Sequence, residues 1–294
     1  MTTRALVLGG GGPVGVAWQA GLVAGLAQQG LLIADADLIV GTSAGAIVGS
    51  QLALGRAPQE LADQQRLRAA RERASGAAGP PPDLRPLIDA MRRSGIDGPR
   101  SQQALAEIGA FPLAAQTISE AEWFADFGSA GTMGIDLWPE RRFVCTAIDT
   151  ADGAFVTWDK ESGVALGRAV ASSGAVPGLY PPVTINGRRY MDGGMRSMIN
   201  ADLARDFDVV LVVAVTPGNA PMAQAVRQRI EPELDALRGA GSRVELIVPD
   251  LASLEAFGPN LMDRSPRARI VDEGVRQGTA EASRVRKFWK SEPV

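Results

Sequence analysis

Gly41-Thr42-Ser43-Ala44-Gly45 joins two stretches of different character. Ahead of it, Asp37-Leu38-Ile39-Val40 is a short apolar run that reads as a strand. After it, Ala46-Ile47-Val48-Gly49-Ser50-Gln51-Leu52-Ala53-Leu54 reads as a helix apolar on most faces, and therefore buried. Strand, Gly-x-Ser-x-Gly, helix is the context of a nucleophile elbow, where a serine sits on a sharp turn and glycines admit neighbouring backbone. The hydroxyl then projects at a helix N-terminus, where the dipole and free N–H groups favour negative charge. The same pentapeptide also suits an N-capping serine in a glycine-rich turn, and alone it does not separate the two.

Upstream, Arg4 to Leu8 reads as a first buried strand, followed by Gly9-Gly10-Gly11-Gly12-Pro13-Val14-Gly15 and a helix over Val16 to Gln29. Such a loop turns several backbone N–H groups toward one point, which suits either a phosphate or an oxyanion. Gly10, Gly12 and Gly15 satisfy GxGxxG, a weak signal by itself. A dinucleotide site would place an acidic ribose ligand about 20 residues on, near Asp35 or Asp37. No Gly-Lys-Ser/Thr follows the glycines, so the other common phosphate loop is excluded.

The 294 residues, 46% hydrophobic, suffice for one large α/β domain. A net charge of −3 argues against a nucleic-acid partner. No apolar run approaches the ~20 residues of a membrane span, and residues 1–4 show no signal-peptide pattern, so a cytoplasmic location is expected. Cys145, the single cysteine, lies in an apolar run and reads as a buried structural thiol. There is no histidine, which excludes a Ser-His-Asp triad and histidine-based zinc motifs. A serine nucleophile here needs a different base.

From about residue 58 to 134 the strand–helix alternation is interrupted by an insertion of short helices, including a Gly/Pro-rich loop at 75–82. This insertion reads as a packing layer at the sheet edge, or as a lid presenting Trp123, Phe124 and Phe127 to an apolar ligand. Alternation then resumes. A hairpin is expected across 142–158, a helix over 163–173, and a second hairpin turning at Asn186-Gly187. Residues 208–215, DVVLVVAV, suit a central strand covered on both faces. Helices over 222–238 and 266–290 flank a strand at 243–248.

Asp192-Gly193-Gly194 follows a short strand and by itself would be a turn. GGGGPVG at 9–15, GTSAG at 41–45 and DGG at 192–194, in this order in a histidine-free chain, resemble the patatin-like phospholipase family. The stretch 171–182, ASSGAVPGLYPP, resembles the family's segment before its aspartate, and Asn200 a position that usually follows it. The resemblance runs from about residue 4 to 215. It implies a three-layer α/β/α sandwich with a mainly parallel sheet, in a single domain over 1–294. It further implies a Ser–Asp dyad acyl hydrolase acting on a lipid or ester substrate at a membrane or micelle surface, with no metal or cofactor. Ser43 matches the nucleophile, Asp192 the base, and the amides of Gly10, Gly11 and Gly12 the oxyanion hole. Gly15, Gly41, Gly45, Gly193 and Gly194 complete the motifs. Val14 stands where the family often has Arg or Lys. The chemistry is self-consistent, since aspartate is a weaker base than histidine by about 2.5 pK units. Burial raises a carboxyl pKa, and a generous set of amides offsets the remainder.

Overall fold

The computed structural model describes residues 2–76, 82–93, 100–114, 117–128, 135–216 and 220–290. In chain order the regular elements begin with β1 (Arg4–Leu8), α1 (Gly12–Gln28), β2 (Leu38–Gly41) and α2 (Ala44–Ala53). The insertion supplies α3 (Pro58–Ser75), α4 (Arg85–Arg93), α5 (Gln102–Ala114) and α6 (Glu120–Gly128). There follow β3 (Phe143–Asp149), β4 (Phe155–Trp158), α7 (Leu166–Ser173), β5 (Val183–Ile185) and β6 (Arg188–Asp192). The chain continues with β7 (Val209–Val213), α8 (Ala220–Gly239), β8 (Arg243–Ile247), α9 (Leu251–Phe257) and α10 (Arg267–Lys290).

The strands form one sheet in the order β5-β6-β3-β2-β1-β7-β8, with β4 added on β3. From β3 through β8 along this path every pairing is parallel, whereas β4 and β6 run antiparallel to β3, and β5 to β6. Alternation along the strands gives the sheet two apolar faces. Leu6, Leu8, Leu211 and Val213 pack beneath the layer holding α1, α2 and α10. Ala5, Val7, Val210 and Val212 face Ile230, Leu234 and Leu237 of α8. Each fully buried Val, Leu or Ile side chain among them contributes about 1.5–3 kcal/mol of transfer free energy. The result is the expected three-layer α/β/α sandwich, and the continuous apolar run at 209–213 is its central, doubly covered strand.

Helices α1 and α10 cross so closely that a Cβ on Gly25 would lie 2.2 Å from the Val275 carbonyl, and one on Gly278 2.2 Å from that of Leu22. The insertion serves largely as packing. Leu61 and Ala62 of α3 join the main core, while Leu105 and Ile108 of α5 lie against Ile148 and Met191 of the sheet. Most of the 75–82 loop, and the side chain of Phe127, lie outside the described residues. The turn between β5 and β6 has Asn186 and Gly187 both at positive φ, 50° and 77°, as a two-residue hairpin requires. Cys145 is fully buried, and burial pushes its thiol pKa up, which leaves it inert. Two elements differ from expectation. Helix α1 starts at Gly12 rather than Val16, because Pro13 suits the first turn. Helix α9 is short and had no expected counterpart; Asp250 caps it by accepting the Ser253 N–H. Among the described residues no helix is long and apolar enough to cross a membrane.

Candidate active site

Leu8 and Gly41 are register partners in the parallel β1–β2 pair, so the two glycine loops leave the sheet at the same edge. There the Thr42 N–H donates to Leu8 O at 3.0 Å and the Gly45 N–H to Gly9 O at 3.1 Å. Glycine is obligatory at position 45, where a Cβ would sit 1.9 Å from Leu8 O. Between these anchors Ser43 adopts φ 53°, ψ −114°, a backbone region that costs an L-residue about 1–3 kcal/mol. The strain is held by the Ser43 N–H donating to Ser173 Oγ at 2.9 Å and by the first N–H groups of α2 donating to Ser43 O. The serine thus sits at the crest of the strand–helix turn ahead of α2, only 6% exposed.

Asp192 ends β6 opposite Ala147 of β3, and its N–H donates to Ala175 O. The Gly194 N–H donates to Asp192 Oδ1 at 2.7 Å. The Ser43 side chain lies near enough to the same carboxylate to lower its pKa, bringing together residues 149 positions apart in the chain. Burial pushes the Asp192 carboxyl up to about 7, against Ser43 and the Gly194 N–H, which pull it down. Behind the pair lies a closed polar network. The Asn200 amide donates to Thr42 Oγ1 at 3.0 Å and Ser197 O at 2.8 Å, with Gly193 O at 3.3 Å. Thr42 Oγ1 and Thr146 Oγ1 are 3.1 Å apart, and Arg196 donates to Asn200 Oδ1. A Cβ on Gly193 would meet Thr146 Oγ1 at 2.2 Å, so the aspartate loop lies directly on this network.

The glycine loop abuts the serine, with a Cβ on Gly10 reaching 3.5 Å from Ser43 Cβ. Its amides are not equivalent. The Gly10 N–H is already donated to Met198 O at 2.7 Å, which corrects the expectation that it faces a ligand. The Gly11 and Gly12 N–H groups find no acceptor among the described residues. They open α1, whose 17 residues direct a positive dipole end toward the same place. Val14 is fully buried and contributes no charge. The dinucleotide alternative fails on geometry. Asp37 precedes β2, at the sheet edge opposite the glycines, and accepts the Arg4 N–H at 2.7 Å; Asp35 lies in the turn before it and pairs with Arg141.

Ser43 opens onto a cleft of about 60 Å³. Val16, Ile47, Val176 and Trp123 give it apolar lining, the last stacked on Tyr180 at 3.9 Å between ring centroids. Phe124 of the same helix instead packs against the core and under Arg168. Arg68, Arg264 and Arg267 also line it, and Arg264 donates to the Tyr180 hydroxyl at 3.1 Å. Ser173, the two threonines and the arginines were not singled out from the sequence. Ser173 and Tyr180 lie in the 171–182 stretch, the one signal that pointed toward them.

The family model for patatin-like phospholipase matches residues 6–205, a span holding every one of these loops. The chain belongs to the patatin-like phospholipase family. It is thereby a lipid acyl hydrolase in general terms. Among solved structures, VipD from Legionella pneumophila matches at 15% identity over 96% of this chain and 67% of that one, with a TM-score of 0.47. ExoU in its heterodimeric complex with SpcU, from the type III secretion system of Pseudomonas aeruginosa, matches at 16% identity over 99% of this chain, with a TM-score of 0.44. The patatin-like chain spans about half the length of ExoU, 52%. Comparison with curated proteins returned no match.

Proposed function

We propose that this protein is a serine acyl hydrolase that cleaves a carboxylic ester of a lipid through an acyl-enzyme on Ser43, with Asp192 as the base and residues 1–294 acting as one domain. The observation that carries the reading is the meeting of the strained Ser43 with the buried carboxyl of Asp192, which burial pushes up to about 7. A base at about 7 stands beside the ~6.5 of an ordinary imidazole, so the deficit of aspartate relative to histidine largely vanishes.

In acylation, Ser43 Oγ bonds to the ester carbon while its proton passes to Asp192 Oδ. Negative charge on the carbonyl oxygen is received by the Gly11 and Gly12 N–H groups and by the N-terminus of α1. The carbon–alkoxide bond then breaks, and the proton on Asp192 leaves with the alcohol. A water molecule repeats the sequence on the acyl-enzyme: its proton goes to Asp192, its oxygen bonds to the acyl carbon, and the Ser43 ester bond breaks. Ser43 Oγ recovers the proton and a carboxylic acid departs. A lipid substrate entails transient contact with a membrane or micelle surface.

The test is covalent labelling with a serine-directed fluorophosphonate, mapped by mass spectrometry, alongside turnover of a short-chain ester by Ser43→Ala. Label confined to Ser43 and a loss of turnover of about 10⁴-fold or more are expected. Label elsewhere, or undiminished turnover by the variant, refutes the assignment.

A further inference from the structure

Helix α8 carries a charge on its buried face. Ile230, Leu234 and Leu237 fall at helical spacing and pack against the sheet, and Glu233 falls on the same stripe. A carboxylate is costly there, and burial pushes the Glu233 pKa up, against hydrogen bonds from Ser197 and Ala201 that pull it down. An apolar residue would fill the position without that cost. Both carboxylate oxygens are instead taken by one short segment of chain.

Glu233 Oε1 accepts the Ser197 hydroxyl, and Oε2 accepts the Ala201 N–H at 3.0 Å. Ser197 Oγ in turn accepts the N–H groups of Ile199 at 3.2 Å and Asn200 at 3.0 Å. Residues 197–201 are therefore gripped at both ends, across a turn in which Asn200 takes a left-handed φ of 48°. That conformation is uncommon for a residue with a Cβ and persists where the surroundings fix it. From inside the clamped segment, contacts run to each of the three reactive loops. Met198 O accepts the Gly10 N–H at 2.7 Å, which anchors the glycine loop. The Asn200 amide donates to Thr42 Oγ1, next to Ser43, and to Gly193 O, next to Asp192. Arg196 and Asp202, paired at 2.7 Å, bracket the segment from outside.

We propose that Glu233 is a positioning residue for the hydrolase reaction: from α8 it holds residues 197–201, and through them the spacing of Ser43, Asp192 and the Gly11 and Gly12 amides. The proposal rests on the acyl hydrolase reading and adds to it a residue that touches no reacting atom. Its contribution falls on turnover, because a displacement of about 1 Å between reacting groups costs on the order of 100-fold in rate. Glu233 is not among the residues lining the cleft, so KM should hold.

Glu233→Gln is the decisive variant, since the amide is nearly the same size and keeps one acceptor oxygen while losing the other. With para-nitrophenyl butyrate as substrate, kcat is expected to fall about 10- to 100-fold, with KM within about twofold and the melting temperature near its native value. Leu234→Ala, one residue on and wholly apolar, should do the reverse: a lower melting temperature with kcat kept within about twofold. Ser197→Ala removes the partner at one end of the segment, and combined with Glu233→Gln it should cost little beyond the larger single effect. An unchanged kcat in Glu233→Gln, a kcat loss that follows melting temperature across the variants, or additive losses in the double variant overturns the proposal. Should Glu233→Gln fail to fold, Ser197→Ala decides by the same kcat and KM criteria. The native protein separates the two readings. No turnover and no fluorophosphonate label at Ser43 refutes the catalytic one and this with it, whereas native activity with indifferent variants refutes this one alone.

Discussion

The floor and the wall of the cleft are built in opposite ways. The floor consists of backbone turns at the ends of β1, β2 and β6, held by main-chain hydrogen bonds and by a network of Thr42, Thr146 and Asn200 sealed from solvent. The wall consists of long side chains carried in by α3, α6, the Tyr180 loop and the turn before α10. Backbone turns tolerate almost no substitution, because an added Cβ strikes a neighbouring carbonyl or hydroxyl. Side-chain walls can be rewritten residue by residue. On the proposed mechanism the chemistry falls to the floor and substrate choice to the wall, so floor changes should fall on kcat and wall changes on KM.

The sharpest break is Asp192→Asn. Turnover should fall by about 10³-fold or more, since an amide accepts no proton from Ser43. Stability should move the other way. The folded-state pKa of Asp192 is raised to about 7 from 3.8, so between these values the native protein holds a proton that the unfolded chain has lost. Stability therefore declines as pH rises through that window, by at most about 1.4 kcal/mol per unit, and the deficit persists above it. Removing the carboxylate should raise the melting temperature at pH 8 and leave it nearly unchanged at pH 4. A variant that is inactive and also less stable at pH 8 would place the carboxylate in a structural role.

Second in size is the pH profile of the native enzyme. kcat/KM should rise about tenfold per unit below pH 7 and level off above it, as one buried carboxyl ionises. A profile already flat from pH 5 would require a base of ordinary acidity.

Asn200→Ala should lower stability by about 1–3 kcal/mol, because Thr42 Oγ1, Ser197 O and Gly193 O all lose a donor at a buried position. Urea denaturation measures the loss, and kcat should fall with little change in KM. The smallest effect is expected at the wall. Trp123→Ala should raise KM for long-chain esters by about three- to tenfold while kcat on short-chain esters holds. A kcat loss comparable with that of Asn200→Ala would dissolve the division between floor and wall.

How far each region could be read in advance follows from the same contrast. The turns at Ser43, Asp192 and the glycines were legible because sharp turns demand particular residue types at fixed spacing. The sheet was equally readable, since runs such as 209–213 leave little else for the chain to do. Gly10 shows where motif reading stops: its N–H is claimed by the carbonyl of Met198, a contact no spacing rule encodes. Ser173 props the strained serine through a single hydroxyl in a segment where several serines and glycines look alike. The arginines were hidden for a different reason. Arg68 lies among the exposed charges of α3, and only the fold shows it turned inward toward Arg267 and Glu72. Helix α9 was too short to display a helical period.

The glycine-to-glycine crossing of α1 and α10 carries a consequence for how distant changes are felt. Helix α1 opens with the amides beside Ser43, and α10 packs across it so closely that neither Gly25 nor Gly278 has room for a Cβ. A methyl group added at either crossing glycine should therefore tilt α1 and shift those amides, though it would touch no reacting atom.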